Sequence, residues 1–237
     1  MSGLDEIARA IRDDAFVFVH AAHMRTALGE FGSLPDWSAF AASWSDLEED
    51  SYLADRGRFR KRRYAVFEMT QAGIERQSHQ PHRQHVEYNP LFGGVERWFA
   101  PVTPVVGDSP SMRAILGFCQ RLFGGLAPSV TRWHVEVHQF RIEALPGQQG
   151  FPTPEGVHRD GVDFVLVLLV TRRNIASGTT TVHDTGGRQL GCFTLTDPLD
   201  AALLDDTRVA HGVTPVTPID HGAPAYRDVL VVTLRRT

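Results

Sequence analysis

The sequence contains few cysteines and no long apolar run. Its two cysteines, Cys119 and Cys192, are too few for a disulfide framework, and neither belongs to a pair with metal-binding spacing. The longest continuous apolar run is the seven residues Phe164–Val170, whereas a membrane-spanning helix needs about 20. The composition therefore fits neither a disulfide-rich secreted scaffold nor a helical membrane protein.

The sequence also lacks an excess of positive charge. Its formal net charge is −4 and its pI is near 6.2, which argues against nucleic acid as the main partner. The one basic run, Arg56–Arg63, is interpreted as a solvated loop or face. Residues Met1–Asp14 are acidic and amphipathic, without an apolar core of signal-peptide length. We therefore expect a cytoplasmic protein with neither nucleic acid nor membrane as partner; no pattern predicts an oligomeric state.

The front half of the chain predicts helices with a few strands. Apolar spacing indicates helices over 4–14 and 35–53 and strands over 16–19 and 63–69. Asp108-Ser109-Pro110 is a typical helix start, and the amphipathic pattern after it ends at Gly124-Gly125. We expect 1–130 to form a mixed, helical segment that buttresses the second half within a single domain, 1–237.

The back half predicts a series of short strands separated by turn residues. The predicted strands cover 133–142, 157–160, 163–171, 179–183, 189–195, 207–211, 213–217 and 226–235. About eight short strands without a long helix between them favour a double-stranded β-helix, or jelly roll, whose interior can hold a metal and a small ligand. The predicted class is thus mainly β with flanking helices, and 131–237 is the jelly-roll core that carries the metal site.

A candidate metal site lies at the start of this core. His158 and Asp160 are two residues apart, so an extended strand directs both side chains to one face. If His211, 51 positions after Asp160, joins them, two imidazoles and one carboxylate occupy one face of an octahedron and leave positions open, which suits Fe(II). The alternative is a turn or an ion pair, but the apolar run Phe164–Val170 places the residues beside a buried strand.

A buried arginine is the second candidate. Arg227 begins a strand whose remainder is apolar, and an unpaired buried guanidinium costs several kcal/mol. Its partner is either an acid, such as Asp228 or Asp205, or the distal carboxylate of a dicarboxylate ligand, which a guanidinium binds with two parallel hydrogen bonds. Taken with the His158, Asp160 and His211 set, the ligand is the favoured partner.

Three more imidazoles, His79, His82 and His85, follow one another at three-residue spacing. Three histidines suffice for zinc in some sites, but no helical pattern and no neighbouring carboxylate or thiolate supports them here. We therefore interpret this segment as a loop.

The region from about Trp133 onward resembles the Fe(II)- and 2-oxoglutarate-dependent dioxygenases, and within them the small bacterial group of L-isoleucine 4-hydroxylase-like amino-acid hydroxylases. The first half matches more loosely, at Tyr88-Asn89 and Gly93–Val95. The matching segments are His138–Ile142, Pro152–Gly161, Arg173–Ile175, His211–Pro215 and Tyr226–Thr233. The resemblance implies that His158, Asp160 and His211 bind iron and that Arg227 binds the distal carboxylate of 2-oxoglutarate.

The chain departs from the wider superfamily after the distal histidine. Arg227 follows His211 by sixteen residues, a longer gap than is usual, and Val229 stands where many relatives carry a serine. The proline-rich loop Pro215–Pro224 can absorb the longer path, because loops tolerate insertions at small entropic cost.

The function implied is hydroxylation of an unactivated carbon of a free L-amino acid or an amino-acid-like small molecule. Fe(II), 2-oxoglutarate and O₂ are the implied cofactors and cosubstrates, and succinate and CO₂ the by-products. Gln139 and Tyr88 are the expected substrate contacts, with packing as their alternative role. The alternatives are a carrier-tethered or modified amino acid as substrate, a zinc hydrolase that uses the same three ligands, and a non-enzymatic cupin-like binding barrel.

Overall fold

The computed structural model describes residues 3–54, 60–88 and 93–237, so 56–59 of the basic run and Asn89 lie outside the described residues. These ranges contain six α-helices and thirteen β-strands. The helices are α1 (Gly3–Asp14), α2 (Ala21–Gly29), α3 (Trp37–Ala42), α4 (Ser51–Ala54), α5 (Pro104–Gly107) and α6 (Pro110–Leu126). The strands are β1 (Phe16–Val19), β2 (Glu48–Glu49), β3 (Arg60–Thr70), β4 (Ile74–Arg76), β5 (Arg132–Ala144), β6 (Phe164–Arg173), β7 (Ile175–Ser177), β8 (Thr179–Asp184), β9 (Gln189–Thr194), β10 (Ala201–Asp205), β11 (Val209–Val213), β12 (Val216–Pro218) and β13 (Ala225–Arg236).

Thirteen antiparallel strands form one large sheet and two small ones. The large sheet has the order β1-β10-β6-β13-β5-β3-β2, with β4 also on β3, and the small sheets are β11-β8-β9 and β12-β7. Side chains of the small sheets pack on one face of the large sheet. This facing pair of layers is the arrangement predicted for a jelly roll, although the described sheets are open at their edges and form no closed barrel.

The apolar run of β6 is continuous because both faces of the strand are buried. Leu166 and Leu168 face the helices α1, α2 and α6, whereas Val165 and Leu169 face the small sheets. Successive side chains of a strand point to opposite faces, so every position of the run is apolar. The candidate metal ligands His158 and His211 lie on the small-sheet side of the large sheet, because His211 belongs to β11 and His158 bridges to it.

The predicted helix over 35–53 is wrong as one element. It is interrupted after α3 by a 3₁₀ turn at Ser43–Asp46, then by β2 and α4. The Ser43 hydroxyl donates to the Phe40 carbonyl, and the fully buried Trp44 indole is 3.2 Å from the Phe140 carbonyl. Tight packing of this tryptophan on β5 overrides the helical spacing.

The front segment supplies strands to the same sheet as the back half. β1 pairs with β10, and β3 pairs with β5 along eleven residues. The single-domain organisation with a front segment over 1–130 stays a prediction. No helix within the described ranges is both long and apolar enough to cross a membrane.

Candidate active site

The structure brings His158, Asp160 and His211 together. The backbone N–H of His158 donates to the carbonyl of His211 at 2.9 Å, and the N–H of His211 donates back at 2.8 Å. This pair of hydrogen bonds places the two imidazole ring centres 4.7 Å apart. Asp160 lies between them, with Oδ1 3.6 Å from His158 Nε2 and Oδ2 3.8 Å from His211 Nε2. One ligand atom from each residue lies within 4.8 Å of the others, so the three can hold one metal ion.

Asp160 stabilises the protonated form of His158 in the metal-free site, so a metal that binds there must displace a proton. Burial opposes the charge of His158, but the hydrogen bond and charge of Asp160, helped by Glu155, outweigh it and raise the pKa of His158 to about 9. Burial and the neighbouring His158 lower the pKa of His211 to about 4. His158 Nδ1 is 3.1 Å from the Gly156 carbonyl, so Nδ1 donates there and Nε2 faces Asp160.

A buried carboxylate, Asp206, holds the turn that carries Asp160. Its two oxygens accept the backbone N–H groups of Asp160 at 3.0 Å, Gly161 at 2.8 Å and Val162 at 3.1 Å. Burial and the charge of Asp160 raise the pKa of Asp206 to about 6, against the effect of these hydrogen bonds. The sequence does not single out this residue, because nothing in Asp205-Asp206 shows which of the two carboxylates turns inward.

Arg227 is buried and forms no ion pair with any acid in the described parts of the chain. Only 2% of the residue is exposed, and among the described residues neither Nε nor Nη2 has a hydrogen-bond partner. The acid beside it, Asp228, instead receives two hydrogen bonds from Arg141, at 2.7 and 2.8 Å. Arg172 is the cross-strand neighbour of Arg227, and burial together with this second cation lowers the pKa of Arg227 to about 10. The ion-pair alternative with Asp228 is therefore wrong.

These two features fit the group that the resemblance implies. Two imidazoles and a carboxylate with open space beside them match the donor set of a non-haem Fe(II) centre. An orphaned, buried guanidinium matches the distal carboxylate of a dicarboxylate such as 2-oxoglutarate, because the ligand would supply the missing partner.

A cavity of about 800 Å³ is lined in part by Asp160, whereas His158 and His211 are not among its lining residues. Tyr88 lines it, and the Tyr88 ring packs so closely on Gly161 that a Cβ there would lie 2.4 Å from a ring carbon. Gln139 does not line it. The Gln139 side chain donates to the Ser43 hydroxyl at 3.0 Å, on the opposite, helix-covered face of β5. The structure thus brings one of the two expected substrate contacts to the cavity and turns the other away.

The three histidines at 79, 82 and 85 do not come together, but His82 enters a second cluster with Glu136 and His138. His82 Nδ1 is 2.9 Å from one oxygen of Glu136, and His138 Nε2 is 3.6 Å from the same oxygen. The sequence contains a signal for two of its three members, since positions 136 and 138 lie on the same face of a strand. It contained none for His82, which approaches from a loop.

Known proteins resemble this chain over most of its length. The family described as 2OG-Fe dioxygenase matches residues 41–233. The 3(1)-hydroxy-L-isoleucine 4-dioxygenase of Pantoea ananatis (strain AJ13355) is 22% identical over 159 residues, which are 66% of this chain and 64% of that protein. The match thus spans less than two thirds of the length of that relative.

Solved structures are similar in fold. The crystal structure of a bsmA homologue from Methylobium petroleophilum PM1 is 40% identical, with a TM-score of 0.90, and the likeness covers 99% of this chain and 93% of the homologue. The Fe(II)/α-ketoglutarate-dependent dioxygenase TqaL is 23% identical, with a TM-score of 0.78, over 99% of this chain and 88% of TqaL. At that identity the second likeness concerns the fold alone.

Proposed function

The chain belongs to the 2OG-Fe dioxygenase family, and from that premise we propose that it hydroxylates an unactivated carbon of a free L-amino acid or an amino-acid-like small molecule. Enzymes of the family use Fe(II), 2-oxoglutarate and O₂. Membership removes the zinc hydrolase and the cupin-like binding protein as alternatives. The observation that carries the proposal is the convergence of His158, Asp160 and His211, of which Asp160 lines a cavity of about 800 Å³, large enough for an amino acid.

The proposed roles of the residues follow from their placement. His158, Asp160 and His211 hold Fe(II), and the buried Arg227 binds the distal carboxylate of 2-oxoglutarate. The bound metal supplies O₂ activation, coupled to oxidative decarboxylation of 2-oxoglutarate to succinate and CO₂. Asp206 keeps Asp160 in place through the backbone of 160–162.

Three strands of the large sheet form the wall that would position the substrate. The cavity wall beyond Asp160 is formed by β3, β5 and β13, whose side chains are fixed by packing, so a bound carbon would be held rigidly. Tyr88 is the proposed substrate contact nearest to the ligands, because its ring covers Gly161. Gln139 is not retained in this role, since it bonds Ser43 on the other face of the sheet.

An amino acid as substrate is supported by two observations. The Pantoea ananatis relative is, by its name, a dioxygenase of a hydroxylated L-isoleucine. The cavity also presents both signs of charge, with the carboxylates of Glu155 and Glu136 and the guanidiniums of Arg62 and Arg97 among its lining side chains. A zwitterion needs partners of both signs.

The test is succinate release in the presence of Fe(II), ascorbate and 2-oxoglutarate, with the proteinogenic L-amino acids supplied one at a time. We expect succinate above the substrate-free background for a few amino acids, a hydroxylated product of each, and loss of both with His158→Ala. Full turnover by His158→Ala would refute the iron ligands. Background succinate for every free amino acid, with Fe(II) and 2-oxoglutarate still bound, would refute the substrate class and leave the oxygenase.

A further inference from the structure

The cavity wall carries three arginines, two of them buried. Arg60 and Arg62 on β3 and Arg97 all line the cavity. Within the part of the chain that the structure describes, Asp50 is the carboxylate that contacts both Arg60 and Arg62. Arg60 makes the closer contacts, with Nε 3.1 Å and Nη2 2.8 Å from Oδ2 of Asp50. Arg62 reaches the same oxygen only at 3.5 Å. Two guanidiniums thus share one carboxylate, and the second is poorly neutralised.

Arg62 is as deeply buried as Arg97 and is held in a fixed orientation. It is 3% exposed, its guanidinium carbon lies 3.4 Å from the ring centre of Phe99 and 4.5 Å from that of Phe140, and Nη2 is 2.7 Å from His138 Nδ1. Its Nε has no hydrogen-bond partner among the described residues. Aromatic stacking favours a planar cation and leaves the edge of the guanidinium available to an anion.

The adjacent cluster of His82, Glu136 and His138 orients Arg62 and is poorly suited to bind a metal. Since Arg62 donates to Nδ1 of His138, the neutral imidazole carries its proton on Nε2, the nitrogen that faces Glu136. That nitrogen then has no lone pair for a metal. Glu136 is already occupied by the Tyr64 hydroxyl at 2.7 Å and by His82 at 2.9 Å, so the network is complete and fixes the acceptor for Arg62.

We propose that Arg62, with Arg60 and Arg97 beside it, binds the carboxylate of the primary substrate and makes the enzyme specific for a free carboxylic acid. The inference rests on the proposed function and deepens it. A thioester or amide, as in a carrier-tethered amino acid, has no anion to complete this subsite and would leave the Arg62 charge balanced only by the 3.5 Å contact with Asp50. The subsite is separate from the one at Arg227, which is not among the cavity-lining residues.

The experiment compares acids with their neutral derivatives on three proteins: wild type, Arg62→Lys and Arg132→Lys. Arg132 is the control, because it is a surface arginine paired with Glu68. Each protein is first titrated with 2-oxoglutarate in the presence of Fe(II) without O₂, using the visible charge-transfer absorption of the chelate. The panel then contains L-amino acids, their amides and methyl esters, and N-acetyl amino acids, with binding followed by calorimetry and turnover by succinate.

We expect wild type and Arg132→Lys to bind and turn over acids but not amides or esters. Arg62→Lys should bind 2-oxoglutarate normally and lose about tenfold or more in affinity for the acid, since lysine offers a point charge in place of a planar pair of donors. Amides accepted as well as acids by wild type would overturn the inference and leave the amino-acid oxygenase intact.

The remaining outcomes are equally decisive. Weakened 2-oxoglutarate binding in Arg62→Lys would mean that this arginine serves the cosubstrate or the fold, and would overturn the inference. If only N-acetyl amino acids bind, and bind less to Arg62→Lys, the free amino acid is wrong as substrate and the carboxylate subsite stands. If no carboxylate of the panel distinguishes wild type from Arg62→Lys, the subsite is refuted.

Discussion

Replacement of Asp206 by asparagine tests whether the turn at 160–162 depends on a buried carboxylate. Asp206 is 1% exposed and accepts three backbone N–H groups. The amide keeps one acceptor oxygen and turns its NH₂ towards at least one of those donors. Hydrogen bonds to a charged group contribute about 1.5–3 kcal/mol each. Relief of the repulsion between Asp206 and Asp160 offsets part of the loss, so we expect the free energy of unfolding to fall by about 2–4 kcal/mol.

The same change should weaken iron binding, because the turn positions the Asp160 carboxylate. Loss of a group that orients a metal ligand typically costs 10–100-fold in metal affinity. The assays are urea unfolding of the metal-free protein and anaerobic Fe(II) titration against a coloured chelator. Asp205→Asn is the matched control, since Asp205 is the preceding carboxylate and accepts from Thr207 instead. Equal stability and equal iron affinity of the two variants would refute the reasoning.

Three further predictions concern single residues. Arg227→Met should lower the affinity for 2-oxoglutarate by about 10–100-fold, because a charged pair with the ligand is lost. The urea midpoint of the metal-free protein should not fall, because the change removes a buried cation that lacks hydrogen-bond partners at Nε and Nη2 among the described residues. A lower midpoint would contradict this. His138→Asn should reduce the loss of stability in acid, because burial, and then Arg62, lower the folded-state pKa of His138 from 6.5 to about 3. The contribution of His138 to wild-type stability is therefore fully present above pH 6.5 and falls by about 1.4 kcal/mol per pH unit as the pH drops towards 3. Identical pH slopes of the two proteins in urea unfolding would contradict this. Gly161→Ala should cost about 1–3 kcal/mol of stability, because φ is +79° and a Cβ would meet the Tyr88 ring; an unchanged thermal midpoint would count against that contact.

The metal-ligand candidates were predictable from sequence because each carries a local signal. His158 and Asp160 have a two-residue spacing that directs both side chains to one face of an extended segment, and His211 and Arg227 each stand near an extended segment. The strand predicted over 157–160 does not form, since His158 makes only a single bridge with His211. The order of these segments along the chain also matches that of the Fe(II)- and 2-oxoglutarate-dependent dioxygenases, which supports the same residues. Their assignment as ligands and clamp stays a prediction, for which the structure supplies the geometry.

Gln139 interrupts the polar alternation of β5. His134, Glu136 and His138 alternate with the apolar Trp133, Val135 and Val137, whereas Gln139 is a polar residue on the face of the apolar ones, and both Gln139, at 1% exposed, and His138, at 4% exposed, are buried. The strand alternates nonetheless, with His138 towards the cavity and Gln139 towards Ser43. The substrate contact was therefore placed one residue away from the side chain that lines the cavity.

Strand β10 was missed for a different reason. Its sequence, Ala201–Asp205, consists mainly of alanine and leucine, which favour helices by intrinsic propensity. The segment is extended because it lies between β1 and β6 and pairs with both. Such long-range pairing leaves no trace in the five residues themselves.

The backbone pairing of His158 with His211 has a consequence for protein engineering. Because two hydrogen bonds across the site fix the spacing of the two imidazoles, an exposed turn on the connection between them can be lengthened without moving them. The exposed turn at Gly186-Gly187, between β8 and β9, lies on that connection. A reporter domain inserted there should leave the ligand spacing intact, which makes this turn an entry point for building a sensor around the oxygenase.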